Sequence, residues 1–248
     1  MRTVSRQIHF SVDDTFGCFQ WLHKNYKTVK GIFDSSTFGL AKKLYENYGV
    51  STSFYCMYRN GENLLGDFVS EWQEQFQQCG EWMKFGFHCY DDRSNYSIVS
   101  PERIEKDYSN VMNALTRITG GGICFTDTLR LHFFAGNTVT VKYLKKRGIN
   151  RLLCADDNRG SYNLSENEER ELKQQGFYHD PNTGMAYLPT DFRIENINDM
   201  KAVNRKVYEL PGDTIVLFTH ERYLKEIEIR GKLEQFLKMC MRTEVWGI

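Results

Sequence analysis

The sequence predicts an α/β protein whose parallel strands gather around one site. Short apolar runs alternate with amphipathic stretches along the chain, which implies parallel pairing through right-handed crossovers. Only four prolines interrupt 248 residues, and no Gly/Ser- or Pro-rich linker or long repeat divides them, so 1–248 reads as one domain. Several apolar runs also end in Asp or His, at the strand ends where parallel α/β folds bind ligands.

Taken in order, strands are expected at 8–12, 53–58, 84–87, 122–125, 130–134, 151–155 and 214–218, each a short apolar run. Helices are expected at 36–48, 67–79, 101–118, 139–147, 199–209 and 222–241. The third opens on Ser100 as a cap, with Pro101 at its first position and Glu102 beside it. The last carries Leu224, Ile227, Ile229, Leu233, Phe236, Leu237 and Met241 at near-helical spacing, which fits packing on a barrel and does not require a dimer. The segment 158–197 departs from the rhythm. It holds a charged helical stretch (164–175) and then a hairpin over 177–189 turning at Pro181-Asn-Thr-Gly184, and it reads as an insertion over one face.

Lys+Arg and Asp+Glu number 32 each, giving a formal charge of zero. That balance offers no footprint for nucleic acid or for an anionic membrane face. No apolar run approaches the length that spans a bilayer. The N-terminal residues run straight into a strand without a hydrophobic signal core, so a cytoplasmic protein is expected. Seven scattered cysteines with no CxxC pair read as reduced, buried thiols.

The strand ends supply the chemistry. Phe10-Ser-Val12 runs into Asp13-Asp14, Lys84-Phe-Gly-Phe87 into His88, Leu152-Leu-Cys-Ala155 into Asp156-Asp157, and Ile215-Val-Leu-Phe-Thr219 into His220-Glu221. Arg130 and His132 precede Ala135-Gly136-Asn137. The alternative reading makes each Asp a cap on the helix that follows its strand. That alternative does not account for the histidines, which have no special value as caps. Consecutive residues leaving a strand point to different sides, so one carboxylate of Asp13-Asp14 can hold a metal while the other reaches a bound water. His88 and Asp92, four apart, can reach one ion. Together these residues form an inventory suited to metal-assisted hydrolysis.

Read in order, these positions resemble the NodB-homology polysaccharide deacetylases, metal-dependent de-N-acetylases on a distorted (β/α)7 barrel, across nearly the whole chain. Ser11-Val-Asp13-Asp14 is similar to the first motif, whose leading Asp is the catalytic base and whose second Asp binds metal. Phe87-His88-Cys-Tyr-Asp-Asp92 is similar to the second, a paired-His metal motif with Asp92 at its second His. Residues 129–137 fall where the family has Arg-Pro-Pro-Tyr-Gly, and Leu217-Phe-Thr-His220 is similar to the last motif, which supplies the catalytic acid.

The resemblance implies a metal triad of Asp14, His88 and Asp92, with Asp13 as base and His220 as acid. It implies a divalent ion, zinc first, with Mn, Co, Ni or Fe open because Asp92 adds a hard donor. Arg130, His132 and Arg193 each qualify to orient Asp13, and Asp156 matches the family's fourth-motif acid. The implied substrate is a carbohydrate bearing an N-acetyl or related acyl group, with Tyr90, Phe134, Tyr162 and Tyr187 as candidate sugar-facing rings and an N–H near 133–136 for the oxyanion. Two alternatives stand beside it. One is a non-catalytic descendant that binds a glycan or protein partner. The other is a glycoside hydrolase using Asp13 with Asp156 or Glu195, which requires carboxylates about 5–9.5 Å apart.

Overall fold

The computed structural model describes residues 6–242 and 246–247. In chain order the elements are β1 (Gln7–Thr15), α1 (Gly17–Asn25), α2 (Ser36–Tyr48), β2 (Thr52–Met57), a small hairpin of β3 (Arg59–Asn60) and β4 (Asn63–Leu64), α3 (Gln73–Gln78) and β5 (Met83–Cys89). There follow α4 (Pro101–Thr119), β6 (Thr128–Leu129), α5 (Thr138–Lys146), β7 (Arg151–Leu153), α6 (Glu166–Gln175), β8 (Tyr178–His179), β9 (Ala186–Leu188) and β10 (Phe192–Arg193). The chain then forms α7 (Met200–Glu209), β11 (Thr214–His220), α8 (Ile227–Arg242) and β12 (Trp246–Gly247).

The expected α/β fold is present. Parallel strands run β10-β11-β1-β2-β5, with β12 beside the start of β1, and a second sheet runs β6-β7-β9-β8. All six residues of β2 are buried, as a parallel strand covered on both faces requires. The sheets meet at the isolated Phe85–Phe125 bridge. Among the described residues they form a distorted wall rather than a continuous ring. Phe19, Phe38, Phe54, Phe76 and Phe85 pack at centroid distances of 5.3–6.0 Å between the sheet and its helices. A buried phenyl of this kind contributes about 1.5–3 kcal/mol.

The strongest local signals hold. In α4 the Ser100 hydroxyl accepts from the Arg103 N–H, the stripe Ile104, Tyr108, Val111, Leu115 and Ile118 is buried, and Gly120 closes the helix at φ 80°. Other expectations give way. The 122–125 strand is a 3-10 turn, because Gly120, Gly121 and Gly122 all take positive φ. The 130–134 strand does not form: β6 ends at Leu129, and Phe133 and Phe134 turn the chain beyond it with φ of 59° and 57°. The 67–79 helix shortens to α3, and the 222–241 helix begins at Ile227 behind a 3-10 turn.

Helix α1 was not expected, and its cap explains why. Phe16 offers no side-chain cap. The Glu221 carboxylate instead accepts from Phe16, Gly17 and Cys18 N–H at 2.8, 2.6 and 2.6 Å, across some two hundred residues of chain. The 158–197 segment is also not laid over a face. Its hairpin forms, with Tyr178 opposite Tyr187, but β9 pairs in parallel with β7 and so builds the wall. Among the described residues no helix is long and apolar enough to cross a membrane.

Candidate metal and catalytic centre

Register brings the titratable residues to one edge. Asp13 pairs with His220 at the ends of β1 and β11. Two irregularities sit beside that pair. The β1–β2 register shifts between Val12 and Thr15, around Asp13-Asp14, and the β2–β5 register shifts so that His88 falls between the paired Phe87 and Cys89. Bulges of this kind re-aim side chains at the rims of sheets. Asp14 holds φ at 54°, strain of about 1–3 kcal/mol that the surrounding fold maintains.

The result is a cleft of about 360 Å³ lined by Asp13, Asp14, His88, Arg130, His132 and His220, among others. Asp14 Oδ1 lies 3.3 Å from His88 Nε2 and 3.5 Å from His132 Nδ1, and those two nitrogens are 3.3 Å apart. The opposite nitrogen of each ring faces a main-chain oxygen: His88 Nδ1 meets Arg130 O at 2.6 Å, and His132 Nε2 meets Asp92 O at 3.2 Å. A carbonyl only accepts, so those nitrogens carry the protons. In the neutral rings, His88 Nε2 and His132 Nδ1 then both point lone pairs at Asp14 Oδ1. That oxygen is buried and accepts no hydrogen bond.

With both rings neutral, three lone pairs converge there and fit a divalent cation, and the backing carbonyls are the usual supports of metal-bound histidines. Burial works to raise the Asp14 carboxyl, but His132 and His88 outweigh it and hold it well below the usual range. Burial likewise works to lower His88, and Asp14 and Asp13 outweigh it and raise it. The Cys89 thiol lies within 4.8 Å of one ring nitrogen of each histidine. Burial, aided by Asp14 and Asp91, pushes it well above the usual thiol range, so the carboxylate is the better third donor.

Asp92 departs from its expected place. It is exposed at the cleft's edge, and what it presents to His132 is its main-chain oxygen. His132, expected among the groups that orient Asp13, stands beside Asp14 and His88 instead. Arg130 does the orienting. It is 1% exposed and donates to Asp13 Oδ1 at 3.0 Å, Ser11 Oγ at 2.7 Å and Thr190 Oγ1 at 3.1 Å, with its guanidinium 4.1 Å from the Phe218 ring centroid.

Arg193 turns to Asp156 at 2.5 Å, and Asp156 faces a neighbouring hollow rather than the cleft. His220 Nδ1 meets Glu195 Oε1 at 2.5 Å, leaving Nε2 for the cleft. Burial works to raise Glu195, but the bond to His220 outweighs it and lowers it. Of the four candidate rings only Phe134 lines the cleft, since Tyr187 and Tyr162 pack behind it and Tyr90 lies beside Tyr58. In the expected oxyanion segment the N–H groups of Phe134 and Ala135 already donate to Leu131 and His132 carbonyls. That segment turns through Phe133, which lines the cleft.

No family description matches the sequence, and no curated protein sequence matches it. Solved structures do. A candidate polysaccharide deacetylase from Mycobacterium smegmatis superposes with a TM-score of 0.64 over 98% of this chain and 87% of its own, at 13% identity. The chitin deacetylase of Colletotrichum lindemuthianum gives 0.56 over 100% and 87%, at 12% identity. A family-4 carbohydrate esterase pseudoenzyme from Bacillus anthracis gives 0.51 over 99% of this chain at 8% identity, and the chain spans 64% of that protein. The class the likeness defines is a fold: that of the family-4 carbohydrate esterases, the NodB-homology polysaccharide deacetylases. That fold accommodates both enzymes and pseudoenzymes.

Proposed function

We propose that the protein is a metal-dependent hydrolase that removes an N-acyl group, acetyl in the first instance, from an amino sugar of a glycan. The observation that carries this reading is the convergence of Asp14 Oδ1, His88 Nε2 and His132 Nδ1, within 3.5 Å of one another, beside Asp13 and His220. Those three donors hold the ion; one carboxylate and two imidazoles suit zinc, with Mn, Co, Ni and Fe accepted by the same set. When bound, a divalent ion supplies Lewis acidity toward the acyl oxygen and brings a water toward a pKa of about 7.

Asp13, fixed by Arg130 through one oxygen, takes the proton of the attacking water with the other. The Phe133 N–H, at the turn that lines the cleft, donates to the oxygen that gains charge. His220, steadied by Glu195 on Nδ1, gives a proton from Nε2 to the departing amine. The two-carboxylate alternative is disfavoured, because both candidate partners of Asp13 are engaged: Asp156 by Arg193 and Glu195 by His220. Glu195, lowered by its bond, is also no general acid. Seven buried cysteines, with no disulfide among the described residues, suit a reducing cytoplasmic setting.

The test is acetate release from N-acetylated oligosaccharides by the metal-loaded protein and by Asp13→Asn. The reading expects release by the first, and loss of at least about a thousandfold with the ion retained in the second. Full activity of Asp13→Asn would remove the mechanism. Absence of both ion and turnover would favour the glycan-binding descendant.

A further inference from the structure

A second hollow adjoins the cleft, and nothing in the hydrolytic reading uses it. Its volume is about 270 Å³, and it shares Asp14, Asp92 and Arg222 with the cleft, so the two form one groove with Asp14 at their junction. Met57 gives it a small apolar surface for the carbon face of a sugar ring, and Phe16 packs fully buried behind it. Its charged groups decide which sugar.

Glu221 lines the hollow, but its carboxylate is occupied by the three N–H groups that open α1. Asp14 faces the triad. The groups left to meet a ligand are Arg222, Lys225 and Asp92, a balance of one positive charge. Arg222 is 62% exposed at its side chain and holds Asp14 Oδ2 only at 3.3 Å, through one of its two terminal nitrogens. The Arg222 guanidinium lies 4.9 Å from the Tyr223 ring, which steadies it without consuming donors. Lys225 is exposed and makes no ion pair among the described residues. A planar fork of donors beside a compact ammonium matches a carboxylate.

We infer that the sugar unit next to the one being deacylated sits in this hollow and carries a carboxylate held by Arg222 and Lys225: the substrate contains a uronic acid. This rests on the deacylase reading for which unit reacts, while the preference for an acidic neighbour can be measured by binding alone.

Two disaccharides separate the possibilities. One is the hyaluronan disaccharide, in which N-acetylglucosamine is linked to glucuronate; the other is neutral N,N′-diacetylchitobiose. Ligand-observed NMR with the metal-loaded protein reads binding, and the acetate signal in the same tube reads turnover. The acidic disaccharide is expected to bind about tenfold more tightly at low salt, the equivalent of about 1.4 kcal/mol. The margin is expected to shrink to about twofold near 0.5 M salt, as a partly exposed ion pair should, and to invert in Lys225→Glu. Equal binding, neutral preference, no binding of either, or a preference that survives Lys225→Glu would overturn the inference. An acidic preference without acetate release would support the hollow's specificity and sink the deacylase reading.

Discussion

His132 Nε2 meets the main-chain oxygen of Asp92 at 3.2 Å, so the two residues cooperate in the reverse of the expected sense. Asp92 stands at the sequence position of a metal ligand, yet it serves as the support. His132, from the loop that should orient the base, turns its other nitrogen to the donor triad. The loop permits this because Phe133 and Phe134 both occupy left-handed backbone, folding residues 132–134 back over the site.

Arg130 is the first point at which the account is exposed. Arg130→Lys keeps a cation but loses the fork that reaches Asp13, Ser11 and Thr190 together. Turnover is expected to fall about 10- to 100-fold with the ion retained. Arg130→Ala, which leaves Asp13 buried and unpaired, is expected to cost about 3–5 kcal/mol of stability in a denaturant titration.

Glu195 acts through His220. Glu195→Gln is expected to lower kcat by about tenfold or more with little change in KM, and the double variant with His220→Ala should be no worse than His220→Ala alone. Additive losses in steady-state kinetics would show that Glu195 acts elsewhere.

Glu221 ties β11 to the start of α1. Glu221→Gln keeps the shape but removes the charge that three N–H groups share, a loss of about 1–2 kcal/mol. A fall in Tm of about 3–6 °C is expected by calorimetry for a chain of this size.

Asp191 sets a pH dependence. Burial pushes its carboxyl up to about 6, against the help of the Val216 N–H at 2.8 Å. The native state therefore binds more protons than the unfolded chain between about pH 4 and 6, and stability falls as pH rises through that window. Asp191→Asn should remove this fall, gaining about 3 kcal/mol over the wild type at pH 7 and nothing near pH 3.5. Parallel denaturation curves at the two pH values check it.

Much of this was legible in the sequence because the cues were local. Ser100, Pro101 and Glu102 announced α4, and Asp13-Asp14, His88 and His220 lay at strand ends that register brings together. What stayed hidden depends on contacts distant along the chain. The cap of α1 comes from Glu221, the partner of His220 comes from the turn after β10, and the wall position of the 178–188 hairpin is set by pairing with β7. His132 was hidden for another reason. Two consecutive phenylalanines at positive φ aim it, and no propensity predicts that conformation for residues other than glycine.

The most direct measurement is the metal content of the purified protein beside His132→Ala and Asp92→Ala, read by anomalous scattering from crystals and by elemental analysis. The account predicts one ion among Asp14, His88 and His132, lost in His132→Ala and kept in Asp92→Ala. An ion kept by His132→Ala and lost from Asp92→Ala, or no ion in the parent protein after incubation with zinc, would contradict it.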